Sequence, residues 1–167
     1  DDMIRRAQHD PLGDIDPSRL ERFASDRRVL AQALTCLELA HDGAGALPAR
    51  IAEAVERLKK APAGPGFVVG LTGTGGAGKS SLTDELVLRL LHREPDARIA
   101  VLAVDPTRRK SGGALLGDRL RVNTAGHERV FMRSFATREA NVSLSRAAAD
   151  AVALLRAAGF PWIFLET

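Results

Sequence analysis

The chain contains no tyrosine, one tryptophan and one cysteine, and aromatic residues make up only 4% of its 167 positions. So few rings exclude a base-stacking platform for single-stranded nucleic acid. The lone thiol, Cys36, closes no internal disulfide and builds no cysteine-rich zinc site. On the apolar side of a helix it reads as a small core residue. His9, His41, His92 and His127 have no metal-ligand spacing. An excess of one charge is also missing: Lys and Arg number 24 against 21 Asp and Glu, a net of +3. That is not the basic stripe of a nucleic-acid-binding surface. No apolar run approaches ~20 residues, so no segment is expected to cross a bilayer. No signal peptide is recognisable. This composition fits a reducing, cytoplasmic setting. The length fits one domain with an appendage, enough chain for a real core. The first residue is Asp1 and the last three follow directly on an apolar run, so the sequence is expected to be part of something longer.

The chain divides by pattern into a helical part, residues 1–66, and an α/β part, residues 67–167. Asp16 caps a predicted helix with Pro17 at its first position, where a missing N–H costs nothing. Leu20, Phe23, Leu30, Leu34 and Leu37 then recur at helical spacing. Gly43 and Gly45 end that stretch. Pro48 opens a second helix with Ile51, Val55 and Leu58 on one face. Residues 61–66, rich in Ala, Pro and Gly, read as a linker. Beyond it, short apolar strands alternate with helices. Strands are expected at 67–71 (buried), 99–104, 130–132 and 162–165. Helices are expected at 79–93, with Leu82, Leu86 and Leu90 on its face, and at 139–158. Residues 105–128 are rich in loop formers. Such alternation predicts a mostly parallel α/β sheet.

Residues 73–80 fit the pattern G-x-x-x-x-G-K-S/T in full, after a strand and before a helix. The glycines let the backbone turn so that successive N–H groups face phosphate oxygens. The following helix presents its positive end to the same anion. Thr74, Gly75, Gly76, Ala77, Gly78, Lys79 and Ser80 are therefore the candidate nucleotide contacts. Lys79 is the candidate catalytic residue, reaching the β- and γ-phosphates, and the Ser80 hydroxyl the candidate Mg²⁺ ligand. Asp105 follows the second strand at its carboxyl end, where open α/β sheets bind ligands. Before Pro106 it equally fits a turn former. Asp118 sits in a glycine-rich loop and also suits a cap or a solvated position. Glu166 ends the fourth strand. Mg²⁺ takes a few carboxylate oxygens and keeps several waters, so these would suffice beside Ser80. Arg108, Arg109 and Lys110 read either as a solvated surface run or as a mobile cation for the γ-phosphate. Arg121 could likewise neutralise charge on the γ-phosphate or touch a phosphate oxygen. Arg133 and Arg138 flank a loop after a strand, and their spacing assigns them no role.

The order of segments narrows the field. Residues 69–81, then Ala103-Val104-Asp105-Pro106, Ser111-Gly112-Gly113 and Leu116-Gly117-Asp118-Arg119, resemble the methylmalonyl-CoA-mutase-associated GTPases. These are G-protein chaperones of cobalamin-dependent acyl-CoA mutases. In residues 72–81, 108–119 and 132–138 the chain is most similar to the GTPase domain of the fused isobutyryl-CoA mutases. The resemblance covers residues 67–167 and implies a P-loop NTPase fold, truncated, behind a helical linker. It implies GTP or GDP and Mg²⁺ as ligands. It places metal contacts on Ser80, Asp105, Asp118 and Glu166, with the Val104 carbonyl and Thr167 as further contacts, and a nucleotide contact on Arg121. It also implies an adenosylcobalamin-dependent mutase partner, in cis or in trans, and a homodimeric parent. Adenosylcobalamin itself would sit in that parent or partner, not on these residues. The Asn-Lys-x-Asp element that reads guanine in the family is not among the 167 residues. Loop 105–121 is the expected nucleotide-sensitive switch. A stand-alone chaperone GTPase and a small-molecule P-loop kinase are the alternatives. A nickel-insertion GTPase would need His or Cys clusters that the chain lacks.

Overall fold

In the computed structural model, residues 15–41, 47–105, 123–136 and 142–167 are described. Strands β1 (Phe67–Leu71), β2 (Ile99–Asp105), β3 (Val130–Ala136) and β4 (Trp162–Glu166) form one sheet in the order β1-β4-β2-β3. Every pairing is parallel, as the alternating pattern predicts. Helices α1 (Arg27–His41), α2 (Ala49–Lys59), α3 (Lys79–Arg93) and α4 (Val142–Ala157) surround it, with 3-10 turns at Pro17–Arg22 and Asn123–Gly126.

The connection β1-α3-β2 crosses the sheet in one direction, and β3-α4-β4 returns in the other. Crossovers of one hand that run in opposite directions must lie on opposite faces. The core divides accordingly. On one face Val87 and Leu91 of α3 pack with Ile99, Val101, Val130 and Phe164. On the other, Ala151, Leu154 and Leu155 of α4 pack with Ala100, Leu102, Phe131, Phe135 and Ile163. Leu30, Leu34, Leu37, Ile51 and Val55 of α1 and α2 join that second cluster, so the N-terminal helices and the sheet share one core. Cys36 lies within it, fully buried. Burial pushes its thiol up to about 11, with the Arg133 charge pulling the other way.

Several elements differ in detail from the sequence expectations. The first helical stretch is broken in two. Asp16 does cap Pro17–Arg22, accepting from the Ser18 N–H at 3.0 Å. A second cap, Asp26, then accepts from the N–H groups of Arg28 and Val29 at 2.8 and 3.3 Å and starts α1. Leucine spacing runs straight across this break and hides it. Strand β3 continues to Ala136 rather than stopping at Met132. Arg133 interrupts the apolar run, yet strand alternation puts it on the face of Phe131 and Phe135. There its guanidinium donates to the Ala31 carbonyl (3.1 Å), Thr35 Oγ1 (2.9 Å) and the Glu38 carboxylate (2.9 Å). A charged residue therefore sits in a buried strand because α1 accepts from both terminal nitrogens, while Nε is buried without a hydrogen-bond partner among the described residues. On α3 the buried face is Thr83, Val87 and Leu91, whereas Leu82 is 52% exposed. Strand β1 is not buried as expected: among the described residues it pairs with β4 alone, and Phe67 and Val68 are exposed.

Residues 61–66 are tied down. Arg156 Nε donates to the Gly64 carbonyl at 2.9 Å. A Cβ on Gly66 would stand 2.9 Å from the Pro161 carbonyl oxygen, so the backbone approach there needs glycine. Gly43 and Gly45, the loop formers of 106–122, Arg138 and the expected helix start at 139–141 lie outside the described residues.

Leu155, fully buried between the helical layer and the sheet, tests this shared core. Leu155→Ala is expected to destabilise the fold by about 2–5 kcal/mol. Calorimetry should give one cooperative transition shifted to lower temperature; two separate transitions would mean that the helices fold on their own.

Candidate functional site

Strand β1 ends at Leu71, and the phosphate loop begins two residues later, at Gly73. Residues 72–78 are exposed. Gly76 and Gly78 have φ of 81° and 82°, the left-handed region. A Cβ at either would meet nothing within 4 Å. The need for glycine is conformational rather than steric, since an L side chain there costs about 1–2 kcal/mol. Gly78 is the N-cap of α3 and offers no side-chain cap. The first-turn N–H groups of α3 are thus left for a ligand at the positive end of the helix. Lys79 bends back over the loop, and its ammonium donates to the carbonyls of Gly73 (2.5 Å) and Thr74 (3.1 Å).

The second component arrives from the far end of the sequence. Along β4, Trp162, Phe164 and Glu166 alternate onto the α3 face, with Phe164 and Trp162 packed in that cluster. Parallel pairing sets Glu166 opposite Leu71, and the Thr167 N–H donates to the Leu71 carbonyl at 2.9 Å. Glu166, 7% exposed, therefore lies at the root of the phosphate loop. Its Oε2 accepts from Ser80 Oγ at 3.1 Å, and its Oε1 accepts from Thr83 Oγ1. Ser80 and Thr83 are three residues apart and share one face of α3.

Other sequence-predicted residues fall as follows. Thr74, Gly75, Gly76 and Ala77 lie in the exposed loop. Val104 is buried in β2, and Asp105 is the strand's last residue rather than the one after it. Ala103 pairs with Glu166, so the Asp105 backbone lies two residues further toward the same carboxyl edge. The Asp105 side chain, Arg108, Arg109, Lys110, Asp118 and Arg121 lie outside the described residues. Arg133 belongs to the α1 contact and not to this site. Among the described residues no three His, Cys, Asp or Glu side chains gather. The Ser80 hydroxyl and the Glu166 carboxylate are hard oxygen donors, the set that Mg²⁺ takes while keeping waters of its own.

Two residues escape sequence reasoning. Thr83 has no motif position. Asp84 looks like an ordinary solvated helix residue. Its Oδ1 accepts from the Thr124 N–H and hydroxyl at 3.0 and 2.7 Å, and its Oδ2 from the Asn123 N–H and side-chain amide at 3.2 and 3.0 Å. Asp84 thereby pins the turn at Asn123–Gly126 to the helix that follows the phosphate loop. Partial burial raises its pKa, but the hydrogen bonds from Thr124 and Asn123 outweigh that and hold it below its ordinary 3.8.

The model of the family described as methylmalonyl-CoA mutase-associated GTPase MeaB matches residues 30–167. The chain belongs to this family. Its match begins inside α1, so the family pattern includes the helices packed on the sheet. A fused isobutyryl-CoA mutase of Geobacillus kaustophilus is 50% identical over 149 residues, 89% of this chain and 14% of that protein. One from Cupriavidus metallidurans is 48% identical over 168 residues, 99% of this chain and 15% of that protein. A putative GTPase of Pyrococcus horikoshii is 39% identical over 143 residues, 85% of this chain and 42% of that protein. The chain thus spans about one-seventh of the fused relatives and two-fifths of the archaeal one. A crystal structure of a LAO/AO transport system kinase matches with a TM-score of 0.65 and 26% identity, covering 92% of this chain and 44% of that one. The P-loop α/β fold expected from the sequence is the fold of the family.

A carboxylate with a lowered pKa stabilises the fold fully above its unfolded value and loses that contribution as pH falls through the folded value. Asp84→Asn should therefore flatten the acid limb of thermal stability below about pH 4. Melting temperature measured against pH checks this; an unchanged acid limb would mean that the Asn123–Thr124 tether contributes nothing.

Proposed function

We propose that the chain forms the phosphate-binding half of a Mg²⁺-dependent GTPase that serves as chaperone to an adenosylcobalamin-dependent acyl-CoA mutase. We further propose that GTPase and mutase share one polypeptide, as in the fused isobutyryl-CoA mutases. The observation that carries the nucleotide reading is the Ser80–Glu166 pair, 3.1 Å apart, at the root of a complete phosphate loop. The fused arrangement is favoured over a stand-alone chaperone because the fused relatives are 50% and 48% identical, against 38–41% for the relatives named only as GTPases. Cytoplasmic location and a homodimeric parent go with this reading.

Each described residue has a task in it. The loop N–H groups and the positive end of α3 bind the phosphates. Lys79 exchanges its two neutral carbonyl partners for charged phosphate oxygens, a trade favoured because charge-assisted hydrogen bonds are the stronger kind. In the hydrolysis step water attacks the γ-phosphorus, and the Lys79 ammonium and the loop amides stabilise charge on the departing oxygens. Ser80 and Glu166 would hold Mg²⁺, which when bound neutralises charge between the β- and γ-phosphates. Asp105, Asp118, the Val104 carbonyl and Thr167 are the proposed further metal contacts, and Arg121 a proposed nucleotide contact. Adenosylcobalamin belongs to the mutase part.

A second reading, phosphoryl transfer by a P-loop kinase, is favoured only by the kinase among the solved structures. The two separate on nucleotide and product. In the complete protein, GTP should be hydrolysed to GDP and phosphate, and ATP should be a poor substrate. Lys79→Ala removes two charge-assisted bonds, about 3 kcal/mol, and should lower GTP affinity about 100-fold. Titration with a fluorescent guanine nucleotide measures this. Retained affinity in the variant rejects the phosphate-loop assignment, and turnover of ATP alone moves the assignment to the kinase.

A further inference from the structure

We infer that Thr83 is a positioning residue of the magnesium site, acting through Glu166. The inference rests on the nucleotide reading above and goes beyond it. Thr83 is 1% exposed and lies four residues into α3. Its hydroxyl oxygen lies 3.1 Å from the Lys79 carbonyl and against Glu166 Oε1, and its single proton goes to the carboxylate, the charged and stronger acceptor. The contact with the carbonyl four residues back is one of the two positions a helical threonine adopts, and its branched Cβ makes that rotamer stiff. The rotamer therefore sets the position of the hydroxyl oxygen, and its one proton turns from the Lys79 carbonyl to Glu166.

Glu166 is otherwise a loose ligand. The terminal torsion of a glutamate is broad and roughly two-fold, so its carboxylate plane is not set by its own rotamer. Here the two oxygens are divided between two hydroxyls of one helix face. Thr83 holds Oε1 on the buried side, and Oε2 faces Ser80. Ser80 is exposed and Thr83 is buried, so the side of the carboxylate left for an ion is the Ser80 side. Thr83 thereby makes Glu166 a one-oxygen donor toward a small cation. Mg²⁺ demands near-ideal octahedral geometry at short distance, whereas Ca²⁺ accepts bidentate carboxylates and flexible geometry. A clamped carboxylate favours the first and withholds the second oxygen from the second ion.

The test uses the complete protein and binding rather than turnover. Affinity for a fluorescent guanine nucleotide is followed while Mg²⁺ or Ca²⁺ is titrated, and again with a chelator present. Loss of a partner that orients a metal ligand typically weakens the metal 10- to 100-fold. Thr83→Val should raise the half-saturating Mg²⁺ concentration about tenfold. It should shift that for Ca²⁺ less, and leave the chelator value unchanged. Thr83→Ser, which restores the hydroxyl, should recover most of the Mg²⁺ response. Thr83→Ala removes the same hydroxyl with less bulk and serves if the valine variant does not fold. An unmoved Mg²⁺ midpoint in a folded variant overturns the inference while the nucleotide reading stands. Equal losses with metal and with chelator make Thr83 a packing residue and also overturn it. A wild-type protein whose nucleotide affinity ignores Mg²⁺ overturns both.

Discussion

The parallel pairing of β1 with β4 is the contact on which the site depends. It sets Leu71 opposite Glu166, and one further bond, from the Thr167 N–H to the Leu71 carbonyl, closes the ladder. The phosphate loop leaves β1 at that level and α3 starts at its far end. A carboxylate some ninety residues away in sequence is thereby placed against the first turn of α3. A register slip of one residue would turn Glu166 to the other face. It would then point at α4 and the apolar cluster of Leu154 and Leu155, where an ionised carboxylate has no partner.

The helices before β1 extend the same logic. They bury Leu30, Leu34, Ile51 and Val55 in the cluster on the sheet face opposite α3, with α2 packed on α1 and α4 rather than on a strand. Arg133 links the two layers, with its guanidinium spread over a carbonyl, a hydroxyl and a carboxylate of α1. His41 Nε2 lies 2.8 Å from Asp150 Oδ2 and joins α1 to α4 in turn. The helical arm is held by packing and by polar contacts to two separate elements of the α/β unit. Displacement of α1 would strand the Arg133 charge beside Phe135.

Much of the fold was legible because its signals are local. Strand positions followed from short apolar runs, and α3 from an amphipathic stretch behind a glycine-rich loop. The phosphate loop was legible for the same reason: its chemistry needs fixed residue types at fixed spacing. Boundaries failed where a long-range partner overrides a local signal. Arg133 looks like the end of a strand until α1 is there to accept from its two terminal nitrogens. Asp26 looks unremarkable among charged neighbours until its carboxylate takes two N–H groups. Leu82 looks like core by spacing, yet the sheet meets the adjacent stripe of Thr83, Val87 and Leu91. In the site, Lys79, Ser80 and Glu166 could be named in advance, Thr83 and Asp84 could not. Their roles consist of hydrogen bonds to residues 83 and about 40 positions away.

The sequence by itself determined the α/β class, the parallel sheet, the phosphate loop and the presence of a carboxylate at the end of the last strand. These rest on periodicity, on glycines that reach left-handed φ, and on a lysine and serine held at adjacent helical positions. Only the tertiary structure decided which hydroxyls that carboxylate meets, which loop turn Asp84 holds, and that the N-terminal helices share the sheet's core. Strand order is the reason. Because β4 inserts between β1 and β2, the end of the chain meets the phosphate loop, and no pattern within either segment records which strand will be its neighbour.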